Sequence, residues 1–393
     1  MSGCPGCIRM IRLNEKYGRI LLAEQAYLPD GWKANVQVLV ENGKISRVGP
    51  AGSFDAQGAV RQRGRVLLPG LVDCHTHLGL LDPTTPAGDD VNEMIDPVNP
   101  GLRVIDGVNP GDPGFGRALA EGVTSVGILP GSTNLLGGQG AVLTTAPGSL
   151  QERLLSSYCG MKAALGENPK RDYGAQQRSP RTRMGEAYLL RGALRRAAEA
   201  LAAGRVNDYD TEALVRVLEG TVPLRVHVHR SDDVETILRI GEEFGLRLVL
   251  EHGTGCAGLA DRLCQAGIVV AAGPAIMGPC KDEMRQITPV LPGMLEKAGV
   301  GVALITDAPE VPAEYLRLMG LIAHREGLSA AGTLDALTRV PARILGLEGQ
   351  IGVIAPGARA DLVWMNGDPL NLYSRVEKVF VGGACVYGED STD

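Results

Sequence analysis

The chain lacks any long apolar run. None of its 393 residues begins an unbroken stretch of the roughly 18 apolar positions that a membrane-spanning helix needs. The amino-terminal stretch also lacks the apolar core of a secretory leader, because Arg9, Arg12, Glu15 and Lys16 interrupt it. Together these absences predict a cytoplasmic protein with no membrane partner. Basic charge is not in excess either: 39 Lys and Arg stand against 45 Asp and Glu, for a net charge of -6. No basic stripe offers a nucleic-acid surface. The densest basic stretch, Lys170-Arg171 through Arg178, Arg181 and Arg183, is broken by Pro and Gly and reads as a loop. A second Cys-x-x-Cys is missing as well. Cys4-Pro5-Gly6-Cys7 therefore has no partner pair with which to build a zinc or redox site, and it reads as a loose terminus. Most of the 8 cysteines sit singly in apolar runs, as small buried residues do. Internal repeats and low-complexity tracts are absent.

What remains is an ordinary globular composition, 44% hydrophobic and 21% charged, long enough for one large domain with an appendage or for two domains. Arg19 to Tyr27 and Asn35 to Val48 alternate as hairpin strands do, with Asn42-Gly43 as a two-residue turn. From Leu71 to about Leu345, apolar strand-like runs alternate with helical segments. The runs are Val123–Leu129, Tyr158–Ala164, Leu224–His229, Leu246–Glu251, Ile268–Ala272 and Val300–Ile305. The helical segments include Leu189–Ala203, Thr211–Leu218, Asp232–Phe244 and Ala257–Ala266. Fully apolar strands alternating with helices predict a parallel sheet, and this many units predicts an α/β fold closed as a (β/α)8 TIM barrel. After Leu345 a β pattern resumes at Gly352-Val353, Asp361–Met365, Val376–Val381 and Ala384–Tyr387. The expected organisation is a barrel over 69–345 and a small β-sandwich domain formed from both chain termini, 8–68 plus 346–390.

The chemistry lies at the strand ends. Val66 to His77 is an apolar run ending in Asp-Cys-His-Thr-His, turned into a strand by Pro69-Gly70. Strand alternation puts Asp73, His75 and His77 on one face, where two imidazoles form a ready chelate. Of the 6 histidines, five end strand-like runs: His75, His77, His227, His229 and His252. His324 falls in a helix-like stretch and reads as a surface residue. Asp307 directly follows another apolar run. In a barrel the carboxyl ends of the strands form the active face, so imidazoles and a carboxylate converge there. Zinc and similar divalent metals favour that ligand set. Lys162 lies in an apolar strand, where a lone ammonium is costly and must be neutralised, paired, modified or turned to the rim. One modification is a carbamate, formed with carbon dioxide, which becomes an anionic bridge between two metals. Glu167 is the competing ligand from the same strand.

These segments together resemble the metal-dependent amidohydrolase superfamily, in its imidazolonepropionase-like and dipeptidase-like branch. The resemblance is carried by Pro69-Gly-Leu-Val-Asp-Cys-His-Thr-His77, Lys162, Val226-His-Val-His229, Leu250-Glu-His-Gly253, Ile305-Thr-Asp307 and Pro356-Gly-Ala-Arg-Ala-Asp-Leu-Val363. It implies that His75, His77 and Asp307 hold the more buried metal. A carbamylated Lys162 would bridge to a second metal on His227 and His252, and His229 would touch substrate. Gly131-Ser-Thr-Asn134 with Gly137-Gly-Gln-Gly140 resembles a Gly-rich loop of one subgroup; the alternative is a tight connecting turn. Arg171, Arg181 and Arg183 are candidates for a substrate carboxylate or for plain surface positions. Two departures, Gly253-Thr-Gly-Cys256 after His252 and Ala-Pro after Asp307, lie beside the proposed site.

The implied reaction is hydrolysis of an amide or cyclic-amide C–N bond in a small polar molecule. Asp307 would serve as general base and then general acid, and His229 or a metal would polarise the carbonyl. Two alternatives stay open: deamination of a ring-bearing substrate at a single metal, and a metal-containing binding protein without turnover. One or two divalent metals per chain and a homo-oligomer complete the expectation.

Overall fold

A computed structural model describes residues 18–81 and 89–389; the Cys4–Cys7 pair lies outside them. The described residues open with four strands, β1 (Arg19–Leu28), β2 (Gly31–Glu41), β3 (Lys44–Pro50) and β4 (Val60–Pro69). β2 and β3 join through Asn42-Gly43, whose φ values of 50° and 76° are the left-handed pair that a tight hairpin turn requires. Eight strands of a second sheet follow: β5 (Leu71–Thr76), β6 (Val123–Ile128), β7 (Leu136–Thr144), β8 (Leu154–Ala164), β9 (Leu224–Val228), β10 (Leu248–His252), β11 (Val269–Ala272) and β12 (Val302–Leu304). The chain closes with β13 (Leu362–Met365), β14 (Val376–Val381) and β15 (Ala384–Tyr387). Gly352-Val353, expected as a strand, forms a bend instead.

The eight-stranded sheet runs in sequence order from β5 to β12 and curls into a TIM-barrel-type fold. Its two ends meet through a parallel bridge between Thr76 and Ala308 and a hydrogen bond from the His77 amide to the Ala308 carbonyl. One expectation is corrected here. The barrel is not eight repeated parallel units, because β7 runs antiparallel to both β6 and β8. The cause is a short connection after β6, which leaves no room for a crossover helix and returns the chain as a hairpin. Gly137–Gly140 therefore lies inside β7 rather than in a ligand-facing loop. Gly138, at φ 117°, lets that strand pass the Leu102 backbone, which a Cβ would approach to 2.6 Å.

Helices cover the outside of the barrel. Ser231–Phe244 shows why they form: Asp232 and Asp233 favour its amino end, and Gly245 stops it at φ 66°. Its buried Val234, Ile237, Leu238 and Gly241 recur at helical spacing against the sheet. The basic stretch expected as a loop is partly helical, since Glu167–Ala175 and Arg183–Ala202 flank it and Pro169 sits in a first turn where proline is tolerated. Of the six described cysteines, Cys74, Cys159 and Cys256 are buried, whereas Cys264 and Cys280 are exposed. Among the described residues no helix is long and apolar enough to cross a membrane.

The remaining strands form one seven-stranded sheet in the order β15-β14-β13-β4-β1-β2-β3, drawn from both ends of the chain. Its far edge is fastened back by hydrogen bonds between Ile45 and Ala358 and between Ala360 and Gly43, just ahead of β13. Trp364 and Phe380 fill the enclosed core with Leu21, Val38 and Leu67. Gly64 has no side chain because Trp364 lies against it. A single residue, Gly70, separates β4 in this sheet from β5 in the barrel.

Candidate active site at the barrel mouth

The polar residues singled out from the sequence gather at the carboxyl ends of the barrel strands. β5 delivers His75 and, one residue past its end, His77. Their Nε2 atoms both stand 3.2 Å from Asp307 Oδ1. Backbone and carboxylate acceptors hold the opposite ring nitrogens. His77 Nδ1 faces the Leu129 carbonyl at 2.8 Å, His252 Nδ1 faces the Gly273 carbonyl at 2.7 Å, and His75 Nδ1 meets Glu251 Oε2 at 2.7 Å. Each ring thus donates from Nδ1 and leaves an Nε2 lone pair aimed at the mouth. His252 and Asp307 take left-handed backbone angles, φ 68° and 54°, rare for residues with side chains and found where a strand end is bent to aim a functional group.

Behind this front lies a buried chain of charges. Arg225 Nε donates to Glu251 Oε1 at 2.7 Å, and the other carboxylate oxygen holds His75. All three side chains are fully buried. Lys162 is also fully buried, its Nζ 3.1 Å from His75 Nε2. Burial pushes the Lys162 ammonium down to about 8, against the opposing pull of Asp307 and Glu251. Asp73 accepts from the Thr306 hydroxyl and amide and from the His75 amide. Its burial raises the carboxyl to about 7, outweighing those hydrogen bonds. Burial also raises Asp307, but His252, His77 and Lys162 outweigh it and hold this carboxyl well below the usual range. Burial drives His75, His227 and His229 well below the ordinary imidazole value, so all three are neutral at pH 7.

The outer half of the mouth is a cleft of about 230 Å3. His227, His229 and His252 line it with Asp307, as do Ser132, Asn168, Arg171 and Lys281. His229 Nδ1 contacts the Thr254 hydroxyl at 2.7 Å. Arg171 is the one predicted arginine at the cleft, and Asp172 already pairs with it at 2.7 Å. Arg183 turns away to Asp233, and Arg181 does not line the cleft. Glu167 lies at the start of a helix, its amide bonded to Glu283 Oε2 and its own carboxylate 3.4 Å from the Glu283 amide. The structure does not bring it to the histidines; the preceding Gly166, at φ 105°, turns the chain after β8. From the Gly131–Asn134 stretch Ser132 alone lines the cleft, while Gly131 and Thr133 bind Val91 and Asn92. His324 is partly buried, its Nδ1 2.8 Å from the Leu328 carbonyl in the turn after its helix.

Ligand atoms of His75, His252 and Asp307 lie within 4.8 Å of one another, and so do those of His227, His229 and His252. His252 Nε2 is buried without a hydrogen-bond partner. Lone pairs of His75 and His77 aimed at one carboxylate oxygen repel it unless a proton or cation lies among them. The set therefore fits a divalent metal of the kind that imidazole and carboxylate ligands favour.

Sequence reasoning missed Arg225, Glu251, Lys281 and Glu283. The first two had a signal, opposite charges inside adjacent five-residue apolar strands. In the observed register Arg225 pairs with Val249, two residues from Glu251, which is within diagonal reach. Lys281 and Glu283 lie in the long connection after β11, at the start of and within a single helical turn, Asp282–Met284, too short to show a periodicity.

Known proteins agree with this arrangement. Residues 192–387 match the model of the Amidohydrolase family. An amidohydrolase from Thermotoga maritima MSB8 is 37% identical, with a TM-score of 0.90, over 94% of this chain and 100% of that one. The imidazolonepropionase of Sphingopyxis alaskensis is 25% identical over 93% of this chain and 95% of its own length. Amidohydrolase tasK of Hapsidospora irregularis is 30% identical over 90% of this chain, which spans only 40% of that protein. The strand-end histidines, the aspartate after β12 and these likenesses together make the chain a member of the amidohydrolase superfamily, in its imidazolonepropionase-like branch.

Proposed function

We propose that the chain is a metal-dependent hydrolase that cleaves an amide or cyclic-amide C–N bond in a small polar substrate. The observation carrying this reading is the convergence of His75, His77 and His252 Nε2 on Asp307, each ring held from behind by a fixed acceptor. His75, His77, His252 and Asp307 would hold the metal, zinc by the character of its ligands. A bound divalent ion supplies Lewis acidity, which lowers the pKa of water toward neutrality and polarises a carbonyl.

The chain's own residues account for the rest. Asp307, ionised at neutral pH, accepts the proton of the attacking water and returns it to the leaving nitrogen. His229, with the Thr254 hydroxyl donating to Nδ1, presents an Nε2–H to the oxygen that gains charge at the reacting carbon. Lys162 is poised for carbamylation, because an ammonium lowered to about 8 leaves some neutral amine to attack carbon dioxide. The cleft's size suits a small molecule, and Arg171 with Ser132 at its rim suits a polar one.

The test is elemental analysis of protein purified without chelator and with bicarbonate, followed by turnover of a panel of cyclic amides, linear amides and dipeptides. Bound metal with chelator-sensitive release of an amine or carboxylate is the expected result. Ammonia release from ring substrates alone would favour deamination. A protein that takes up no zinc would end the metal-hydrolase reading.

A further inference from the structure

The cleft contains a positive charge that the reading above does not use. Lys281 belongs to the loop after β11, and only 12% of its side chain is exposed. Its Nζ stands 2.8 Å from Glu283 Oε1, 3.0 Å from Asn168 Oδ1 and 3.4 Å from His227 Nε2. An ammonium carries three donors and no acceptor, and these three neighbours are a carboxylate, an amide oxygen and an imidazole lone pair. Lys281 thus has a polar neighbour for each of its donors, the carboxylate nearest and the His227 ring nitrogen farthest. The surroundings are those of a cation site. Glu283 is buried, and its Oε1 lies 3.9 Å from the Nε2 atoms of both His227 and His229. Ligands of one tetrahedral ion at bond lengths near 2.0–2.1 Å lie roughly 3.4 Å apart, so Glu283 Oε1 stands within about half an ångström of that spacing from His227 Nε2.

Glu283 is itself locked in place, since its Oε2 accepts the Glu167 amide at 2.7 Å. By contrast the His252 Nε2 lone pair has no hydrogen-bond partner and belongs with His75 and Asp307. The two halves of the mouth therefore differ. In the inner half the lysine, Lys162, reaches His75 alone and His252 Nε2 stays free, whereas in the outer half Lys281 is seated on a carboxylate and an amide oxygen as well as facing His227.

We propose that the Lys281 ammonium, seated on Glu283, Asn168 and His227, occupies the second cation position of the mouth, so that the chain carries one metal ion and Lys281 supplies the other positive charge facing the substrate. The proposal rests on the metal-dependent reading of the inner half. It also explains why a loop lysine and a buried loop glutamate occur two residues apart beside three neutral histidines.

The test is titration of the metal-free, full-length protein with Zn2+, followed calorimetrically and by elemental analysis after gel filtration, with and without bicarbonate. Wild type is expected to bind one equivalent tightly. Lys281→Met removes the competing ammonium and leaves Glu283 unpaired, so a second equivalent should bind at least tenfold more tightly than to wild type. Lys281→Gln, which keeps a polar partner for Glu283, guards against misfolding of the first variant and should show the same gain. Adding Glu283→Gln to Lys281→Met should abolish the second equivalent. Two tight equivalents in wild type, or only one in both Lys281 variants, would overturn the proposal while leaving the metal reading intact. No uptake by wild type would instead remove the metal reading and the proposal with it.

Discussion

The two halves of the barrel mouth are built differently. His75, His77, His252 and Asp307 project from strand ends, and their supports are the Leu129 and Gly273 carbonyls and the buried Glu251–Arg225 pair. In the outer half the strand-end His227 and His229 meet Lys281, Glu283, Asn168 and Arg171, which come from connecting segments and short helices and are held mainly by neighbours of that kind. A site on strand ends inherits the rigidity of the sheet, whereas a site on connecting segments can change without disturbing the fold. On the proposed function, the comparison assigns the reaction type to the inner half and substrate choice to the outer one.

The sharpest way to break this contrast is Asp307→Asn. It should lower kcat about 10^2- to 10^4-fold, the usual worth of a positioned general acid–base, with the far-ultraviolet spectrum unchanged. Full turnover by this variant would remove Asp307 from the chemistry. Next in size is Arg225→Met, which strands the Glu251 charge in the barrel interior. Urea unfolding should show a loss of about 3–5 kcal/mol, whereas breaking the exposed Arg171–Asp172 pair with Arg171→Ala should cost less than about 1 kcal/mol. Similar losses for the two would erase the proposed difference in construction.

Glu251→Gln keeps the shape but weakens the grip on His75 Nδ1. Zinc affinity should fall about 10- to 100-fold, as for other groups that orient a metal-binding imidazole. The smallest effect concerns Glu186, which underlies the outer half by accepting the Gly166 amide at 3.1 Å. Burial raises its carboxyl from 4.5 to about 8. In that window the folded chain holds a proton that the unfolded chain has released, so its contribution to stability is lost as pH rises through about 8. Glu186→Gln should therefore be more stable than wild type at pH 9 by about 1 kcal/mol or more, with little difference at pH 5. Thermal melts at the two pH values decide it; an equal difference at both would show that Glu186 does not titrate between them.

Much of the inner half was legible in the sequence, because strand periodicity and a terminal imidazole are both local signals. His75, His77, His227, His229 and His252 could be placed at one end of a barrel from apolar runs alone. The antiparallel β7 was not legible. Its Gly137-Gly-Gln-Gly140 start has too little apolar character to read as a strand, and its direction depends on the length of the preceding loop. Glu251 sat within a quoted motif, yet its role needed the lateral register that brings Arg225 beside it. Lys281 and Glu283 become meaningful only when the connection after β11 folds over the mouth, and no pattern along the chain encodes that approach.

The seven-stranded sheet carries a consequence for how the molecule comes into being. β4, which leads through Gly70 straight into the His75 strand, has β1 on one side and β13 on the other. β13 leaves the ribosome only after the whole barrel has been synthesised. Until then one edge of β4 stays open, with unsatisfied backbone groups that invite pairing with other chains. The nascent polypeptide must therefore wait for β13 before β4 can be sealed on both edges.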